Sequence, residues 1–324
     1  MIHRGFWYFI IAVILVILYS NVAAEYKRSE DLEIYEMDYK NNAQLQDICA
    51  VKQPTIFDIG RFCPELFEAI MPGLSKHETN DLVIKDTTLV HNPVDTAVVL
   101  PLRSARILMQ TDTREQYYSE DNEGFLFDTG AHSQIRESID PRLRPPLTFL
   151  GHYDWLLGSN KAHTPLRYHT ASRQFYVVTQ GKIRVKMAPY SFVKYLSEPP
   201  RVDNDFFGYI SSENVWTNTA KPGVQEFIVS SGSVLYVPPY WWFSIQFMTS
   251  DKVETSLLSC RYYTVPNIIA NGQTWGEYLW GIWTAKPKVV RTLEDVVSVP
   301  ADKDTYAELP PPPAAVEQPI DSIL

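Results

Sequence analysis

Between residues 145 and 265 short apolar runs alternate with turn signals every few residues, and this spacing confines more than a third of the chain to a β-sandwich or barrel. Strands are predicted over residues 147–150, 155–157, 164–169 and 174–179, with Gly158-Ser159-Asn160 as one turn. Gln180-Gly181-Lys182 reads as a tight turn pairing 174–179 with 183–187 in a hairpin. Residues 190–223, polar, Pro-rich and aromatic, read as a long insertion. Strands at 226–229, 234–237 and 242–247 follow, separated by Ser231-Gly232-Ser233 and Pro238-Pro239-Tyr240, and 253–265 supplies one or two more. Upstream, 53–57 reads as a strand, 64–70 as a helix opened by Pro64, and 81–89 as β. Residues 271–284 read as an aromatic helix on the outside of the strands. From Ser298 the tail, with proline at 310–313 and several acids, buries too little apolar surface to order itself.

The N-terminus carries an unbroken apolar and aromatic run over residues 6–19, continued to Ala24, about one membrane crossing long. His3 and Arg4 precede it, while Glu25, Glu30, Asp31 and Glu33 outweigh Lys27 and Arg28 after it. That bias puts the N-terminus in the cytoplasm and the body in a lumen, outside the cell or exposed on a virion. Two readings stay open: a signal anchor over residues 1–24, or a signal peptide cut after Ala24, where Val22-Ala23-Ala24 offers the small residues of a cleavage site and would release a secreted body. Residues 25–43 then read as a juxtamembrane linker, 44–290 as the folded domain and 298–324 as a disordered tail. For Cys49, Cys63 and Cys260, a Cys49–Cys63 bridge and three buried thiols both stay open. No Cys/His spacing suits zinc. With 29 Lys+Arg spread against 38 Asp+Glu and no basic stripe, nucleic acid is excluded as a partner.

Three runs, in order, resemble one family. The run from Trp155 through Thr164-Pro165-Leu166-Arg167-Tyr168-His169 resembles the strand written W-x-G-x-x-x-x-x-T-P-L-H-x-D in cupin-like, JmjC-type proteins. Gln174-Phe175 through Gln180-Gly181-Lys182 is similar to that family's N-F-x-x-Q-x-x-G, and Gly232-Ser233 through Pro238-Pro239-Tyr240-Trp241-Trp242-Phe243 to its G-D-x-x-x-x-P-x-x-W-W-H. Tyr117-Tyr118-Ser119-Glu120-Asp121-Asn122-Glu123 and Leu143-Arg144-Pro145-Pro146 also fit, and the pattern looks like degenerate members found in large DNA viruses. The resemblance implies a mostly β fold, a double-stranded β-helix or jelly roll with flanking helices, of Fe(II)- and 2-oxoglutarate-dependent oxygenases. Their iron sits on two histidines and a carboxylate, and the H-x-D spacing places two of these on one face of a strand.

By that resemblance Arg167, His169 and Phe243 occupy the ligand positions, so only one of them can donate a lone pair to a metal. A fixed guanidinium about 4 Å from a divalent ion costs on the order of 8 kcal/mol at an effective dielectric near 20. No histidine follows His169, and Ile183 stands where the cosubstrate lysine belongs, flanked by Lys182 and Arg184. The expectation is therefore a membrane-anchored pseudo-oxygenase in a binding or structural role, with no metal, cofactor or catalytic residue. The alternative is a hydroxylase using Fe(II) and 2-oxoglutarate at a rearranged site that draws on His169 or on His152-Tyr153-Asp154. Arg167 has two readings, an interior ion pair with an acid such as Glu226, or, with Lys182 and Arg184, a pocket for a small anion. Tyr117, Tyr118 and Glu120 read either as packing residues or as lining the barrel mouth, and Trp241, Trp242 and Phe243 as core that fills the pocket. The partners expected are the membrane and a protein, glycan or small anion, with the aromatic insertion at 206–216 as a contact surface.

Overall fold

The computed structural model describes residues 2–88, 97–203, 208–217, 221–249 and 254–284; the tail and residues 206–207 of the insertion lie outside them. The chain opens with helix α1 (Ile2–Glu25), then strand β1 (Tyr35–Met37), α2 (Asn42–Cys49) and β2 (Thr55–Asp58). A π-helical turn (Leu66–Ile70) and the short α3 (Met71–Leu74) lead to β3 (Asp81–Asp86), β4 (Val98–Pro101), α4 (Leu102–Thr111), β5 (Tyr117–Ser119), α5 (Glu123–Asp128) and α6 (Ala131–Leu143). The β-rich half runs β6 (Thr148–Gly158), β7 (Arg167–His169), β8 (Arg173–Gln180), β9 (Lys182–Ala188), a 3-10 turn (Tyr190–Tyr195), β10 (Arg201–Asp203), β11 (Gly208–Ile210), β12 (Gln225–Ser230), β13 (Ser233–Val237), β14 (Trp242–Phe247) and β15 (Ser256–Thr264). It ends in α7 (Val265–Ala270) and α8 (Gly272–Thr284).

These strands make two open sheets, one of nine strands in the order β1-β2-β13-β8-β15-β6-β5-β3-β4 and one of six in the order β10-β11-β7-β14-β9-β12. Among the described residues β1, β4, β10 and β12 each pair on one side only, so neither sheet closes. The expected mostly β, closed double-stranded β-helix is thus corrected to a mixed α/β fold. The physical reason is that the alternation read from the sequence reports only that both faces of a strand are covered. Here helices from the first half of the chain cover one face of the larger sheet and the smaller sheet covers the other, and no closure is needed.

Side-chain alternation shows the layering residue by residue. Phe175 and Val177 of β8, with Val234, Tyr236, Leu258 and Cys260, face the helical layer, where they meet Leu45, Leu126 and Ile139. Their neighbours Tyr176 and Val178, with Leu235, Val237 and Leu257, face the smaller sheet and its Ile183, Val185, Phe243 and Ile245. A third cluster, with Leu166, Tyr168, Phe192 and Trp242, lies between the outer face of the smaller sheet and the insertion. The insertion is partly regular, because β11 extends the smaller sheet by pairing with β7.

The expected hairpin at Gly181 does not form: β8 and β9 belong to different sheets, and Gly181 turns the chain from one to the other. Its φ of 74° is left-handed, and a Cβ there would stand 2.6 Å from Thr255 Oγ1. Only glycine fits such a corner without strain. All three cysteines are buried free thiols, and burial pushes the Cys49 thiol up to about 12, against Arg173 and Lys52, whose charges lower it.

Among the described residues one stretch, Phe6–Glu25, is long and apolar enough to cross a membrane. Its last residue is fastened to the body. Glu25 Oε2 accepts from Lys52 Nζ at 3.4 Å and Asn267 Nδ2 at 3.2 Å, and Oε1 accepts from Ser172 Oγ at 3.1 Å. Tyr26 donates its hydroxyl to the Ala270 carbonyl in α7. The Arg28 guanidinium lies over the rings of Tyr190 and Tyr240, 3.8 and 4.4 Å from their centroids. Residues 25–43 are bonded to the body through these contacts and through β1.

Candidate functional site

Strand β7 is short because Thr164-Pro165 precedes it and a bend follows, and its period of two turns Tyr168 outward while Arg167 and His169 face the larger sheet. Phe243 lies directly opposite Arg167 in the β7–β14 pairing. The guanidinium of Arg167 sits 5.7 Å from the Phe243 ring centroid, and the rings of His169 and Phe243 are 6.3 Å apart. The structure therefore brings Arg167, His169 and Phe243 together, all of them buried.

Arg167 is held by Glu120, which follows β5. Nη1 donates to Glu120 Oε2 at 2.9 Å and Nη2 to Oε1 in a two-pronged pair. Lys85 Nζ stands 3.6 Å from Glu120 Oε2 and also pairs with Asp121, which leaves two cations against two carboxylates. Burial opposes ionisation, but Arg167 and Lys85 hold the Glu120 carboxyl down at about 2. Glu226, the acid expected to pair with Arg167, instead lies on β12 within 3.6 Å of Arg184 and 3.4 Å of Lys186. His169 Nε2 lies 3.0 Å from the Val237 carbonyl; burial, reinforced by Arg261, pushes the imidazole down to about 3, so it is neutral.

The other expected residues divide by depth. Tyr118 and Trp241 are buried in the core between the sheets, Trp242 lies beneath the insertion, and Tyr117 is half-buried. Lys182 and Arg184 are on β9, where Lys182 is exposed and Arg184 lies beside Glu226. His152 lies 2.9 Å from Glu123, and Asp154 accepts from the backbone amides of Asp121 and Asn122 at 2.9 and 2.7 Å. Burial, with Asp121 and Glu120 adding, pushes the Asp154 carboxyl up to about 7. Among the described residues no three His, Cys, Asp or Glu side chains are placed to hold a metal ion.

No family model and no curated protein matches the chain. With two open sheets in place of a barrel, the cupin-like, JmjC-type resemblance is withdrawn. The pseudo-oxygenase reading, its Fe(II)/2-oxoglutarate alternative and the link to viral members fall with it. Arg167, His169 and Phe243 form a closed interior cluster.

An open cavity of about 130 Å³ lies elsewhere, where β7 and β14 meet the insertion. Its polar lining includes Thr88, His163, Ser211, Glu213 and Asn214, with Trp216 as its aromatic wall. Trp216 Nε1 donates to Ser244 Oγ at 2.8 Å, and Ser244 Oγ donates to the Thr164 carbonyl at 2.5 Å. His163 Nδ1 lies 3.2 Å from the Thr164 carbonyl and Nε2 lies 3.4 Å from Asn214 Nδ2. With Nδ1 donating and Nε2 accepting, the ring is the neutral Nδ1–H tautomer; burial also lowers its pKa. Lys186 Nζ sits 4.8 Å over the Trp216 ring and donates to the Val215 carbonyl at 3.0 Å. Hydrogen bonds from Lys221 and Ser197 hold the Glu213 carboxyl down at about 2. The aromatic insertion pointed to Trp216, but nothing near His163 in the sequence marks it, because its neighbours arrive from β14 and the insertion.

Proposed function

We propose that this is a single-pass membrane protein whose body binds a small, neutral, polyhydroxylated ligand of the sugar class in the cavity beside Trp216. The observation that carries this reading is the cavity's lining: hydroxyls, a neutral imidazole and an amide around one indole face. Both charges at its edge are already paired, Lys186 with Glu226 and Glu213 with Lys221, which favours a neutral ligand over an ion. The volume is well below the roughly 300–1,000 Å³ of sites that take drug-sized ligands, so one ring fits and a chain does not. The membrane reading rests on the apolar stretch, and the charges flanking it favour a cytoplasmic N-terminus. An uncut anchor is favoured by a helix that runs unbroken past Ala24 to a bonded Glu25.

The test is thermal unfolding of the full chain in lipid nanodiscs against a panel of neutral monosaccharides. A ligand at 100 times its Kd stabilises the folded state by about 2.7 kcal/mol. We expect one sugar to raise the melting temperature and Trp216→Ala to abolish the rise. A panel without effect, or a rise that survives Trp216→Ala, overturns the reading.

A further inference from the structure

We infer that the body rests on the bilayer through a second contact beside the anchor, an apolar and aromatic face made of Leu147, Phe149, Leu150, Val265, Ile269 and Trp283, whose occupant is the lipid interface. The inference deepens the membrane reading above and depends on α1 being in a bilayer. Each of these side chains is an exposed large hydrophobic group, Phe149 at 71% and Trp283 at 86%. Scattered apolar residues need no explanation, whereas a contiguous set next to a membrane span does.

Leu147, Phe149, Leu150, Val265 and Ile269 are contiguous through the fold. Leu147, Phe149 and Leu150 sit at the start of β6, where the Val265 amide donates to the Leu147 carbonyl at 3.0 Å and Tyr263 pairs with Leu150. Val265 and Ile269 lie four residues apart on one side of α7. α8 follows at once and is tied in by Trp275, which meets Tyr263 edge-on at 5.3 Å between centroids. The anchor reaches the same place: Asn267 of α7 holds Glu25, and Tyr26 holds Ala270. The face therefore begins where α1 leaves the body. Aromatic side chains are enriched where a membrane meets water, and the exposed Trp283 of α8, the helix that follows α7, supplies one. The opposite end of the strands is unlike it. β15 spans nine residues, or about 30 Å, and at its far end lie Ser256 and the exposed Lys182.

The experiment labels single cysteines with an environment-sensitive fluorophore in the full chain reconstituted in phosphatidylcholine vesicles. Cys49, Cys63 and Cys260 are buried and stay unlabelled in the folded protein. Phe149→Cys and Trp283→Cys are the test positions and Lys182→Cys is the control. We expect blue-shifted emission at 149 and 283, quenched several-fold more by lipids with a nitroxide near the headgroup than emission at 182. Equal quenching at all three positions, in protein that alkaline carbonate leaves in the membrane, overturns the inference and leaves the anchor standing. Release of the protein by carbonate overturns the anchor and the inference with it.

Discussion

Replacing Glu120 by alanine removes both oxygens that hold Arg167, a side chain with only 2% of its surface exposed. Lys85 keeps Asp121 as a partner, but Arg167 is left as a buried cation without its carboxylate. Breaking a buried pair in this way costs about 3–5 kcal/mol. At roughly 2–4 °C per kcal/mol for a body of this size, the melting temperature should fall by about 10 °C. Arg167→Met alone should cost less, since Glu120 keeps Lys85 3.6 Å away as a partner. The double variant Glu120→Met/Arg167→Met removes both charges into apolar surroundings that include Phe243 and Tyr176, and should regain most of the loss. The assay is a thermal melt followed by circular dichroism for the wild type, both singles and the double. Acid supplies a second arm. The Glu120 carboxyl is held at about 2, below its ordinary 4.5, so its contribution is present above 4.5 and is lost as pH falls from there through 2. Wild type and Glu120→Ala should converge over that window. Single costs below about 1 kcal/mol, or a double variant equal to the sum of the singles, would refute the account.

His169 is neutral with its imidazole down at about 3, so the stability it permits is present above the ordinary 6.5 and is lost as pH falls from 6.5 towards 3. His169→Gln should remove up to about 1.4 kcal/mol per pH unit from the acid slope of denaturant midpoints, and an unchanged slope exonerates this residue. Gly181→Ala places a Cβ against Thr255 at a left-handed corner and should cost about 2 kcal/mol or more in urea unfolding; a neutral result means the corner relaxes. Glu25→Ala strands Lys52, whose amine burial already lowers to about 8 despite Glu25. The loss, capped near pH 7 at about 1.4 kcal/mol because Lys52 can discharge, should shrink at higher pH, and melts that show the same deficit at both ends rule the clamp out.

Much of the strand pattern was legible because its cause is local. β8, β13, β14 and β15 form where alternation and turn residues place them. Closure was not legible, since β8 presents Phe175 and Tyr176 to opposite covered faces in a barrel or in stacked sheets alike. Gly181 misled for a related reason: a glycine between two apolar runs looks the same whether the strands pair or part. The partner of Arg167 was missed because Glu120 lies 47 positions earlier and two sheets must stack before they meet. Trp216 fell within the aromatic insertion, but His163 and Ser244 join it only through the pairing of the smaller sheet. The apolar stretch was evident from composition, whereas its clamp draws on Lys52, Ser172 and Asn267 from three distant parts of the chain.

The bonds at Glu25, Tyr26 and Arg28 tie α1 directly to the body that follows it. In a bilayer the body would follow its anchor like a flag welded to its pole: a turn of α1 about its own axis would swing the Trp216 cavity through the same angle. Neighbouring copies would then face one another in directions set by how their spans pack, with no freedom to reorient above the lipid.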